Sequence, residues 1–150
     1  MTITIVTVGA KNTPDFQHII DDYMKRLPRS VTVEWKLIKP FESSERQTTI
    51  TKESERILSA MPTNSYVILL DERGEHYTNE RLSQQLFSEH KSMCIIIGGA
   101  YGVGQSVHSR ADVVLSLSKL VFPHRLVRVM LAEQIYRSYT ISINHPYHHS

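Results

Sequence analysis

Residues 93–97, Met93-Cys94-Ile95-Ile96-Ile97, run without a polar side chain into Gly98-Gly99-Ala100-Tyr101-Gly102-Val103-Gly104. So short an apolar run, closed by glycine, predicts a strand buried on both faces, the position a parallel strand takes between two layers of helix. The glycines that follow admit positive φ and leave bare backbone for a ligand to approach, although a plain tight turn uses glycine in the same way. Upstream, Tyr66-Val67-Ile68-Leu69-Leu70 repeats the pattern and delivers Asp71 to its C-terminal end. Downstream, Val113-Val114-Leu115 gives a further strand ending at Ser116.

The segments between and before these strands carry helical spacing. Thr13-Pro14 supplies an N-cap and a proline at the first helical position, and Phe16, Ile19, Ile20, Tyr23, Met24 and Leu27 continue the face until Pro28. A first strand over Thr2–Val8 precedes this helix, and Val31, Val33, Trp35 and Leu37 alternate as a second strand after it. Pro40–Gln47 reads as a polar connector, and Ile50, Ser54, Ile57, Leu58 and Met61 mark a helix that stops at Pro62. Asp71-Glu72-Arg73-Gly74 reads as a polar turn, and Thr78, Leu82, Leu86 and Phe87 as the next helix. Gln105–Ala111 predicts a short helix, and Leu126, Met130, Leu131 and Ile135 the apolar face of a last one reaching about Ser138. The order β-α-β-α-β-α-β-(α)-β-α predicts an α/β fold, a mostly parallel sheet with helices on both faces.

At 150 residues and 41% hydrophobic content the chain supports one core, so a single domain over 1–150 is expected. No apolar run approaches the roughly 18 residues of a membrane span. The opening Met1-Thr2-Ile3-Thr4-Ile5-Val6 has neither the basic flank nor the cleavage site of a secretory signal, so the cytoplasm is the expected location. The single cysteine, Cys94, sits in the buried run and reads as a core thiol. Net charge is only +2, but Lys119, Arg125, Arg128 and Arg137 face one acid, Glu133, over the C-terminal stretch, with His124, His145, His148 and His149 among them. Phosphate or RNA would suit that end, and so would a merely solvated basic helix face.

In an open α/β sheet ligands sit beyond the carboxyl ends of the strands, which here are Asp71, Gly98-Gly99 and the segment Ser116 to Phe122. The glycine spacing does not match the dinucleotide fingerprint. It nearly matches a phosphate loop over Gly99–Ser106, but Gln105 stands where the lysine would be, which argues against nucleoside triphosphate hydrolysis. No metal is expected: His145, His148 and His149 lack a completing ligand and read as a solvated tail. By residue type alone, Arg128 and Glu133 read as an interhelical ion pair.

Taken together, Ile97-Gly98-Gly99, Leu115-Ser116-Leu117-Ser118-Lys119, Phe122-Pro123-His124, Arg128-Val129, Glu133-Gln134-Ile135-Tyr136-Arg137 and Asn144-His145-Pro146-Tyr147-His148 resemble the RlmH family within the SPOUT superfamily. The likeness extends to Val6-Thr7-Val8-Gly9 and Tyr23-Met24-Lys25-Arg26-Leu27, and so runs the length of the chain. The resemblance implies an enzyme that methylates N3 of a pseudouridine in 23S ribosomal RNA, on the assembled ribosome, with S-adenosyl-L-methionine as cofactor. It implies a C-terminal deep trefoil knot and a homodimer in which each site receives groups from the partner. It implies cofactor binding by Leu70, Gly98, Gly99, Leu117, Ser118, Lys119, Leu120, Val121 and Phe122. The groups nearest the chemistry would be Tyr147 and His148 of the tail, with His124 and Arg128. Where the family's pattern places a basic residue after the Tyr-His pair, His149 stands here, followed by Ser150. Two other readings are a non-enzymatic RNA- or nucleotide-binding module on the same basic end, and a SPOUT methyltransferase with a different RNA target.

Overall fold

The computed structural model describes residues 1–87 and 90–149; Ser150 of the expected tail lies outside them. Five strands, β1 (Thr2–Val8), β2 (Thr32–Ile38), β3 (Tyr66–His76), β4 (Ser92–Ile97) and β5 (Val113–Ser116), form one sheet in the order β2-β1-β4-β3-β5, and every pairing is parallel. The helices are α1 (Pro14–Lys25), α2 (Arg46–Ala60), α3 (Asn79–Leu86), α4 (Gln105–Arg110) and α5 (His124–Ser142). The mostly parallel α/β sheet predicted from the order of elements is the one observed.

Alternation along the central strands divides the interior into two cores. Ile3, Ile5, Ile68, Met93 and Ile95 face Leu82 and Leu86 of α3 and Leu131 and Ile135 of α5. Val6, Val8, Val67, Leu69, Cys94 and Ile96 face Ile57 of α2 and Val107 of α4. β4 is buried on both sides from Met93 to Ile97, as its unbroken apolar run requires. Burial pushes the Cys94 thiol up to about 11, which keeps it protonated and inert. Pro14 opens α1 after Thr13, and the Thr78 hydroxyl caps α3 by accepting from the Arg81 backbone N–H at 3.2 Å. No described helix is long and apolar enough to cross a membrane.

The structure corrects the sequence reading in two places. The segment Asp71–Gly74 does not end its strand. Leu70 pairs with Leu115, the next four residues leave the ladder as a bulge, and Glu75 and His76 rejoin it opposite Leu115 and Ser116. Asp71 closes the excursion by accepting from the Arg73 backbone N–H at 2.9 Å and from its guanidinium at 3.1 and 3.2 Å. Gly74 is what permits re-entry, since a Cβ there would lie 2.7 Å from backbone atoms of Val114 and Leu115. The last helix is also longer than expected, starting directly after Pro123 and continuing to Ser142.

Candidate functional site

The bulge within β3 and the turns beyond the carboxyl ends of β4 and β5 converge. Leu70, Asp71, Gly98 and Gly99 form one side of a cleft of about 370 Å³, and Leu117, Ser118, Leu120, Val121 and Phe122 form the other. The three segments singled out from the sequence therefore meet in one place, although the one at Asp71 is a bulge within β3 rather than the end of its strand. Lys119 belongs to the same loop but is exposed and outside the lining. The loop is shaped from within, because the Ser116 hydroxyl donates to the Ser118 carbonyl at 2.8 Å and the Leu120 N–H donates to the Ser118 hydroxyl at 3.0 Å. That turn leaves Leu120 and Val121, 70% and 78% exposed, as apolar side chains at the mouth.

The glycine turn is equally constrained. The Gly102 N–H donates to the Gly99 carbonyl at 3.0 Å, and Gly102 takes a φ of 79°. A Cβ on Gly98 would sit 2.8 Å from Val103 Cγ1, and one on Gly99 would sit 2.1 Å from Glu53 Oε2. Both positions thus present bare backbone to the cleft because their other sides are filled.

A second cleft, of about 500 Å³, adjoins the first across Gly99, Ala100 and Tyr101. His124 lines both, and its ring bonds the Gly98 backbone; burial first, and then the neighbouring Arg128 charge, hold its pKa below the ordinary histidine value. Arg128 lines the second cleft and is 1% exposed. Its Nε donates to Thr7 Oγ1 at 3.1 Å, Nη1 to the Ala10 carbonyl at 2.7 Å and Asn12 Oδ1 at 2.9 Å, and Nη2 to the Val8 carbonyl at 3.3 Å. Gly9, at a φ of 135°, makes room for the guanidinium, since a Cβ would lie 2.8 Å from Nη2. Arg128 thus neither pairs with Glu133 nor lies on a solvated helix face, which corrects both readings made from residue type. One turn of helix separates positions three or four apart, so residues five apart on α5 point in different directions.

Glu133 pairs instead with Arg137, which donates from Nε at 2.9 Å, and accepts from the Tyr147 hydroxyl at 3.1 Å. Tyr147 and His148 of the tail are therefore docked, whereas His145 and His149 are exposed as expected. Tyr147 packs edge-on against Tyr136 with ring centroids 4.8 Å apart, and burial pushes its phenol well above the usual tyrosine value. His148 bridges Arg137 Nη1 and Glu80 Oε1, each at 3.2 Å, so its Nδ1 accepts and its Nε2 donates. Tyr147 and His148 line neither cleft within one chain. Two buried residues on α2, Thr49 and Glu53, also line the second cleft and were missed in the sequence, where they sit in an ordinary polar stretch of a helical pattern.

A family model described as "Predicted SPOUT methyltransferase" matches residues 1–148. A ribosomal RNA large subunit methyltransferase H of Chromobacterium violaceum is 42% identical, with 99% of each chain covered. The protein of the same name from Laribacter hongkongensis is 40% identical over the same share. Among solved structures, one described as a probable methylase family protein from Haemophilus influenzae superposes with a TM-score of 0.59 at 11% identity, covering 99% of this chain and 70% of the other. A second, from work on 2-OH methylation of C/U34 on tRNA, gives 0.53 at 16% identity over 95% and 97% of the two chains. Such low identities speak to the fold alone. The full-length sequence matches say more: the chain belongs to the SPOUT methyltransferase family and groups within it with the ribosomal RNA large subunit methyltransferases H.

Proposed function

We propose that the protein transfers a methyl group from S-adenosyl-L-methionine to N3 of a pseudouridine in 23S ribosomal RNA, acting in the cytoplasm on the assembled ribosome. The observation that carries this reading is the cleft at the β3 bulge and the ends of β4 and β5, whose walls are segments that the family resemblance assigns to the methyl donor. Its chemistry fits such a ligand. Apolar Leu70, Leu117 and Phe122 flank a floor of bare backbone at Gly98 and Gly99, which suits a planar adenine held by main-chain groups. When bound, the cofactor supplies an electrophilic methyl carbon. The chain's own residues orient the base toward it and take up the N3 proton. His124, kept neutral by burial and by Arg128, stands at the junction of the two clefts as a proton acceptor. Arg128 is a positioning residue on this reading, fixing the start of α5 to the end of β1.

The docking of Tyr147 and His148 on α5, away from their own chain's cleft, supports a homodimer in which one protomer's tail serves the partner's site. The threaded C-terminal half of this reading rests on the family resemblance. The whole chain, 1–150, acts as one domain in this reading. Mass mapping of ribosomal RNA from cells lacking the protein tests the assignment: N3-methylpseudouridine is expected to vanish, and its persistence would refute it. Calorimetric titration with S-adenosylmethionine separates the enzyme from a simple RNA-binding module, which need not bind it.

A further inference from the structure

The second cleft is lined by two residues that each hold a buried polar atom without a hydrogen-bond partner among the described residues. Glu53 is 4% exposed; its Oε1 accepts the Phe41 backbone N–H at 3.1 Å, and its Oε2 has no partner among the described residues. Thr49, one helical turn earlier on the same face of α2, is buried with its hydroxyl equally without a partner. A buried carboxylate oxygen and a buried hydroxyl left unmatched each carry a desolvation cost that a ligand offering the complementary groups would remove. Oε2 is an obligate acceptor, whereas the threonine hydroxyl donates as well as accepts. Glu53 lies beside Gly99, the residue shared with the methyl-donor cleft, and Gly99 lacks a side chain at the point where one would strike Oε2, while Thr49 lines the same second cleft.

We infer that Glu53 and Thr49 read the target base, Glu53 accepting the pseudouridine N1–H and Thr49 donating to the adjoining C2 carbonyl; this rests on the N3-pseudouridine reading above. In pseudouridine the edge N1–H, C2=O, N3 offers donor, acceptor and reacting nitrogen in sequence. Acceptor and donor one helical turn apart match the first two, with N3 left toward the first cleft. Uridine, joined to its ribose through N1, presents C5–H and C4=O at the corresponding places. It keeps the carbonyl for Thr49 and offers nothing to Glu53. Glu53 is thus the residue that separates the two bases, and Thr49 serves both alike.

The substitution Glu53→Gln tests this without changing shape. The Phe41 N–H holds the amide oxygen where Oε1 was, so the amide NH2 turns to the cleft and meets N1–H donor against donor. Ribosomes from cells lacking this protein, carrying either pseudouridine or uridine at the target position, are methylated by each enzyme and kcat/KM is compared. Wild type is expected to favour pseudouridine by about tenfold or more, the effect of one hydrogen bond to a charged group. Glu53→Gln is expected to reduce that ratio toward one while S-adenosylmethionine affinity is unchanged, and Thr49→Val to lower both rates together with the ratio intact. A purely structural role for Glu53 would depress both substrates alike, so an unchanged ratio in Glu53→Gln overturns the inference while leaving the N3-pseudouridine reading standing. Equal wild-type rates on the two ribosomes overturn it without any variant. Absence of N3 methylation by wild type on pseudouridine ribosomes refutes the functional reading itself, and the inference with it.

Discussion

Replacing Gly99 with alanine puts a carbon 2.1 Å from Glu53 Oε2, far inside the 3.4 Å at which ordinary contact begins. Two relaxations are open. Glu53 can swing away, giving up the bond from the Phe41 N–H, which as a hydrogen bond to a charged group contributes about 1.5–3 kcal/mol. Alternatively the turn carrying Gly99 and Gly102 shifts, at an overpacking cost of about 1–3 kcal/mol. For a chain of this length each kcal/mol lowers Tm by about 2–4 °C, so the variant should melt about 2–12 °C below wild type. Thermal denaturation by circular dichroism measures this directly. Adding Glu53→Ala supplies the control: with the carboxylate gone the alanine has space, and the double variant should be at least 1 kcal/mol more stable than additivity predicts. Strict additivity, or a Gly99→Ala protein that melts with wild type, would refute the steric argument. Gly102→Ala is a useful contrast, because nothing lies within 4 Å of its Cβ and only its φ of 79° resists the change. Its cost should be about 1 kcal/mol and indifferent to Glu53.

Arg128→Met should destabilise the fold by about 2–4 kcal/mol in urea denaturation, because buried carbonyls at Val8 and Ala10 lose their donor while the burial cost of the charge is relieved; Arg128→Lys restores charge without the forked geometry and should recover only part of this. Removal of residues 147–150 is expected to abolish methylation while S-adenosylmethionine binding, followed by calorimetry, is retained; unchanged turnover would exclude a role for the tail. The Arg73 guanidinium, and against it a smaller effect of burial, holds the Asp71 carboxyl below the usual carboxylate range. The unfolded chain therefore takes up this proton first as pH falls, so the contribution of Asp71 to stability is present above its ordinary value and is lost below it. Asp71→Asn should flatten the acid side of the stability–pH curve, read as Tm between about pH 5 and pH 3, where carboxylates titrate.

Much of this architecture is written in local pattern. β4 is legible because five apolar residues followed by glycine fit a doubly covered strand, and α1 because Thr13-Pro14 marks its start. The cleft followed from topology for β4 and β5, since parallel strands place their carboxyl ends together and the turns after them at one edge, which the β3 bulge then joins. What escaped depends on partners distant in sequence. Nothing around Asp71 foretells that Glu75 rejoins the ladder, because re-entry needs Gly74 to lie against a strand some forty residues later (~40, a separation no local window spans). Arg128 looks like any basic helix residue until its oxygen ligands from β1 are in view. Glu53 looks like any exposed helix acid, and only the glycine turn packed over it shows otherwise. The docking of Tyr147 and His148 is likewise invisible in a tail of polar and aromatic residues.

The shell around Arg128 joins the first turn of the molecule to its last helix across 121 positions of chain. Closing so large a loop carries an entropic cost before any contact repays it, and folds dominated by such contacts assemble slowly. The guanidinium cannot leave water until Thr7, Val8, Ala10 and Asn12 are arrayed to receive it, so docking of α5 and ordering of the β1–α1 turn are a single cooperative event. Amide exchange in the Gly9–Asn12 turn should then follow the opening of α5 rather than that of α1, its neighbour in sequence. Because His124 begins that helix, local opening there would dismantle the junction of the two clefts while the sheet stayed intact.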